Sequence, residues 1–124
     1  MFWPVRRAAA YNDLMKKIII ESGVCGEKVE VTADSQDGRH VTVRVGKCCQ
    51  FIERMKPDLE KEPLDAYRLM SNILNSPIYQ SASRCLPHVT CPVPSAIHKV
   101  IEAEAGLAVP VDVKITFERD GGKE

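Results

Sequence analysis

The sequence predicts an α+β fold: a four-stranded, mostly antiparallel sheet with helices packed on one face, in the order β-β-β-α-α-α-α-β. Three observations carry that reading. Three strand-like runs follow one another between residues 16 and 46, separated by turn signals. Residues 93–106 then place apolar side chains at helical spacing. Finally Val111, Val113, Ile115 and Phe117 alternate with polar residues, which suits a fourth strand.

Residues 16–22 (KKIIIES) form the first run. In 28–34, Val29, Val31 and Ala33 share one face, and Lys28, Glu30, Thr32 and Asp34 the other. In 39–45, Val41, Val43 and Val45 alternate with His40, Thr42 and Arg44. Period-2 alternation of β-branched residues marks half-buried strands. The Asp37-Gly38 pair favours a tight hairpin between the second and third. Gly23 and Gly26 permit a turn between the first and second. A helix is expected from Cys48, with Phe51, Ile52 and Met55 on its apolar side and Pro57 as its stop. A second begins at Glu62-Pro63, with Leu64, Tyr67 and Leu74 in helical register. Ser76-Pro77 opens a third, running to about Cys85. Residues 86–92 read as a loop. In the fourth helix Val93, Ile97, Val100, Ile101 and Ala105 face inward, His98, Lys99, Glu102 and Glu104 face water, and Gly106 sits where a helix ends. The expected domain spans 16–118, after an extension over 1–15 and before a polar tail over 119–124. The sheet's other face, with Glu30, Thr32, Thr42, Arg44, Lys114 and Thr116, is either wet or used for self-association.

The chain has 124 residues, 44% of them apolar and 27% charged, which is ordinary for one globular domain. Seventeen Lys and Arg balance seventeen Asp and Glu. A nucleic-acid-coating surface needs clustered excess cation, so no nucleic-acid partner is expected. No apolar run reaches the roughly 18 residues of a membrane span, and no membrane partner is expected. The Arg6-Arg7-Ala8-Ala9-Ala10 start lacks an apolar export segment, because Tyr11, Asn12 and Asp13 interrupt it. A cytoplasmic setting is expected.

Five cysteines, Cys25, Cys48, Cys49, Cys85 and Cys91, are an odd number. A disulfide framework is not expected in a reducing compartment. In an up-down-up meander the first turn and the exit of the third strand lie at the same end of the sheet. Cys25 therefore falls near Cys48 and Cys49. His88 and Cys91 precede the best helix. Helix N-termini carry partial positive charge and favour thiolate, the nucleophilic and metal-binding form. A set of Cys25, Cys48 or Cys49, His88 and Cys91 has the soft ligands suited to zinc or an iron–sulfur cluster. One of Cys48 and Cys49 would face the site and the other would be buried. Cys85 belongs to the core. The bland alternative is that cysteine is a common small apolar residue and only packs. A Cys91 nucleophile with His88 as base is disfavoured by their spacing in a loop. No phosphate-binding glycine loop or hydrolase motif occurs.

The run Cys91-Pro92-Val93-Pro94, continuing through Ile101-Glu102-Ala103-Glu104-Ala105-Gly106-Leu107-Ala108-Val109-Pro110, resembles a small family of uncharacterised proteins, mostly archaeal or from anaerobic bacteria, with a signature like CPVP…IEVEAGLALP. The Gly23-Val24-Cys25-Gly26 turn, the Asp37-Gly38 hairpin and the Cys48-Cys49 helix start resemble the same family's earlier landmarks, over about residues 16–118. The resemblance is to a domain of unknown function, so it implies no catalytic residue. It implies an anaerobe-type cytoplasm in which thiols and clusters survive. Two functions follow as expectations: a thiol or metal site at one sheet end, or a non-catalytic interaction module, a homodimer among its forms, with packed cysteines.

Overall fold

The computed structural model describes residues 15–70 and 72–119. The N-terminal extension to residue 14 and the tail from 120 onward lie outside the described residues. Three long strands form the expected meander: β1 (Lys16–Glu21), β2 (Lys28–Ser35) and β3 (His40–Val45). β1 pairs antiparallel with β2, Ile18 opposite Val31 and Ile20 opposite Val29. β2 pairs antiparallel with β3, Ala33 opposite Val43. Val29, Val31, Ala33, Val41, Val43 and Val45 are buried under the helices. Glu30 and Arg44 on the other face are exposed and Thr32 and Thr42 are half-buried, so one face is covered and one is wet.

The turns close as the glycines and aspartate require. Gly23 and Gly26 both adopt φ of 74°, and the Gly26 N–H donates to the Gly23 carbonyl at 2.8 Å. At the β2–β3 hairpin, Asp37 accepts the Arg39 and His40 N–H groups and the His40 ring, each at 2.8 Å. These bonds hold its carboxyl well below the usual carboxylate range.

Beyond β3 the order departs from expectation. The first helix, α1 (Gln50–Glu60), runs through Pro57 instead of stopping there. Ile52, Met55 and Leu59 lie on one buried stripe, so packing carries the last turn past a missing backbone bond. No helix starts at Pro63. Leu64–Asp65 is β4, paired antiparallel with β3. The Ala66 N–H donates to the Arg39 carbonyl at 2.8 Å, and the Arg39 guanidinium grips both Asp65 carboxylate oxygens at 3.0 Å. Asp65 also accepts the Tyr67 N–H, capping the single turn α2 (Ala66–Leu69). The helices α3 (Pro77–Cys85) and α4 (Val93–Glu104) form as expected. Ser76 caps α3, accepting the Ile78 and Tyr79 N–H groups. At the end of α4, Leu107 N–H donates to the Glu102 carbonyl and Gly106 N–H, at φ of 76°, to that of Ala103. This is a left-handed glycine ending.

The sheet is thus four-stranded and antiparallel in the order β1-β2-β3-β4. Its fourth strand is β4, and residues 111–117 are not in it. Val111, Val113, Ile115 and Phe117 are exposed, and among the described residues no strand pairs with them. Glu104, expected in water, is 1% exposed: its carboxylate accepts the Ser35 N–H at 3.0 Å and pairs with Lys16 at 3.6 Å. α4 packs over β1 and β2, α1 over β3, and α3 between the two helices. No helix of the described residues is long and apolar enough to cross a membrane.

Candidate thiol site

Three chain segments meet at the β1–β2 turn end of the sheet. Cys25 ends the tight bend 23–25 and is exposed. The exit of β3 is tied to β2 beside it: the Gly46 N–H donates to the Glu30 carbonyl at 2.8 Å. A Cβ on Gly46 would sit 3.3 Å from that oxygen, so the close approach favours glycine. Three residues later Cys49 caps α1 with its carbonyl accepting the Glu53 N–H. Cys91 lies just before α4. Cys48, Cys49 and Cys91 are half-buried against the core.

Cys91 is the centre of the group. Burial pushes its thiol up, while the Val93 N–H, bonding to the sulfur, pulls the other way. Charge on Cys25 and on Cys49 pushes it further up, so both lie within electrostatic reach of it. α4 starts at this end of the sheet, since its other end lies at the start of β1, where Glu104 reaches Lys16. Of the vicinal pair, Cys49 is the member felt by Cys91. Cys48 turns to Glu53, donating to its carboxylate at 3.7 Å, and burial pushes its thiol up to about 11.

His88 is exposed and shares with Cys91 the wall of an open groove of about 600 Å³, lined also by Leu74, Tyr79, Leu86 and Val89. The five residues considered as a ligand set, Cys25, Cys48, Cys49, His88 and Cys91, are not assembled as a metal centre. Among the described residues no group of three or more His, Cys, Asp or Glu side chains is arranged to hold a metal ion. Helix-start dipoles were expected to favour thiolate, but desolvation outweighs them at Cys91, leaving a neutral thiol at neutral pH. Cys85 packs against the core from α3, as expected.

A protein family described as a family of unknown function, DUF6951, matches residues 16–117. The chain belongs to this family. The DUF6951 match takes in all five cysteines and the 111–117 segment. No curated protein and no solved structure matches the chain. DUF6951 membership assigns no activity, so chemistry rests on the side chains themselves.

Sequence reasoning passed over one polar pair. Ser76 is 1% exposed, and its hydroxyl lies 2.8 Å from His98 Nε2. Its oxygen already accepts two backbone N–H groups, so its proton goes to the histidine. His98, expected at the surface, is half-buried, stacks on Tyr79 with ring centroids 5.2 Å apart, and has its pKa lowered by burial. The Ser-Pro start predicts the cap but not the histidine 22 residues on that completes it. A hydroxyl this enclosed cannot meet a substrate, so the pair is structural.

Proposed function

We propose that Cys25, Cys49 and Cys91 form a thiol redox site in a protein of a reducing cytoplasm. What supports this reading is that the bend ending at Cys25, the start of α1 at Cys49 and the approach to α4 at Cys91 lie at one end of the sheet. The exposed Cys25 attacks a low-molecular-weight disulfide through its thiolate, forming a mixed disulfide and releasing one thiolate. Cys91 or Cys49 then displaces the second thiolate, closing a disulfide within the chain. Two electrons pass to the small disulfide, and the two protein protons end on its thiols. The short bend between two left-handed glycines lets Cys25 adjust toward the 4.4–6.8 Å Cα separation, roughly, that a disulfide needs. The neutral resting thiol at Cys91 makes the second step faster as pH rises.

The zinc or iron–sulfur reading has less support, since the ligand set is not gathered around one point. Both are tested together on protein purified without oxygen. Equilibration in glutathione redox buffers is expected to remove two labelable thiols reversibly, with Cys25→Ser abolishing the loss. Stoichiometric zinc or iron, lost in Cys25→Ala or Cys91→Ala, would replace the redox reading with a ligand one. Thiols that stay reduced in every buffer and resist labelling until unfolding would leave cysteines that only pack.

A further inference from the structure

The segment from 111 to 117 has the sequence of a strand and no strand beside it. Its four apolar side chains are exposed, Ile115 and Phe117 by 87% and 94%. Its backbone has no ladder among the described residues. β1 is the terminal strand of the sheet, and among the described residues no strand pairs with its outer edge. A row of unpaired N–H and C=O groups accepts a further strand.

We infer that residues 113–118 of one copy of this chain add antiparallel to the free edge of β1 of a second copy, and reciprocally, in a two-fold dimer. One register satisfies both faces of the pleat at once. With Glu118 opposite Lys17, Thr116 falls opposite Ile19 and Lys114 opposite Glu21 on the wet face. The same register sets Phe117 opposite Ile18 and Ile115 opposite Ile20 on the helix side, where Ile18 and Ile20 pair with buried valines of β2. Shifting the register by two residues toward the start of the arm brings Asp112 opposite Glu21 and removes the cation from Glu21. Opposite charges and apolar pairs directly across strands stabilise, and like charges destabilise.

For this antiparallel register the geometry points to a second copy and not to the chain's own β1. α4 ends beside the start of β1, where Glu104 reaches Lys16 at 3.6 Å. In this register Val113 sits opposite Ser22, at the other end of the strand. Six residues from Leu107 to Val113 reach about 20 Å when fully extended. The six steps from Lys16 to Ser22 span about 20 Å as well. Nothing is left to reverse the chain, whereas the arm of a second copy enters from the Ser22 end without that constraint. Each copy carries both arm and edge, so a two-fold axis lets the two arms add reciprocally and closes the assembly as a dimer.

The test is sedimentation equilibrium on the full chain and on charge-exchange variants, whose folding is checked by circular dichroism. The arm adds nothing to the described core, so its variants fold. The full chain is expected to dimerise. Lys114→Glu, which faces Glu21 with a like charge twice per dimer, weakens association by about tenfold. Adding Glu21→Lys to that variant restores it. Thr116→Pro removes the N–H that this register aims at Ile19 on the open edge, where the Ser22–Glu27 bond leaves Lys17, Ile19 and Glu21 facing outward, and yields monomer. A full chain that stays monomeric overturns the inference, as does a dimer indifferent to Lys114→Glu and Thr116→Pro. So does a monomer whose 111–117 amides resist hydrogen exchange, since that segment would then be paired within its own chain.

Discussion

Side-chain environments in this protein set reactivities that the residue types alone do not. Cys48 and Cys49 are neighbours in sequence, yet one faces Glu53 and the other is felt by Cys91. With its thiol pushed up to about 11, Cys48 is expected to resist iodoacetamide at pH 8 and to react only as pH approaches that value. Exposed Cys25 is expected to react first. Peptide mapping of partly alkylated protein gives the order, and early modification of Cys48 would contradict it. His98 has a definite sign. Its folded pKa lies below the ordinary 6.5, so the fold favours the neutral ring. That contribution is present above about pH 6.5 and is lost as pH falls through the folded value. Denaturation midpoints are expected to drop between pH 7.5 and 5, and less so in His98→Gln. Equal slopes would show that His98 is not the responsible group. Neither feature is legible in sequence. The pairing of Ser76 with His98 across 22 residues, and which of two adjacent thiols turns to Glu53, are set by packing.

At the scale of elements, what was legible follows from locality. β1, β2 and β3 were readable because valine alternation and an Asp-Gly turn act within a few residues. α3 and α4 were readable because a Ser-Pro start and a glycine end act within one turn. β4 was not, because two residues carry no periodicity and their pairing depends on Arg39, 26 positions away. The 111–117 segment misled in the opposite way: alternation reports that a segment suits a strand, not which edge it joins. α1 shows packing overriding a local rule. Pro57 lies inside it, withholding an N–H from the helix ladder, while Leu59 beyond it is buried. Pro57→Ala is expected to stabilise the fold by about 1–3 kcal/mol, the restored bond and relieved clash outweighing the freer unfolded chain. Urea titration checks this, and a lower midpoint in the variant would contradict it.

The whole molecule brings its chemistry together by topology. A meander returns the exit of β3 to the bend where β1 ended, and α4 crosses β1 and β2 so that its start carries Cys91 to the same corner. In the sequence, the up-down-up strand order put Cys25 and the Cys48-Cys49 pair at one sheet end, whereas Cys91 was grouped with them only for standing at a helix start. The assembly of Cys25, Cys48, Cys49, His88 and Cys91 as metal ligands was not borne by the geometry, because ligation demands distances near 2.3 Å to one point, roughly, and topology specifies only a neighbourhood. The measurement that tests the account most directly is mass-spectrometric mapping of the full-length chain after equilibration with oxidised glutathione. One internal disulfide joining Cys91 or Cys49 to Cys25 is expected, with Cys48 and Cys85 still carrying free thiols. A bridge that uses Cys85, or glutathione held on Cys25 with no internal bridge ever following, would contradict it.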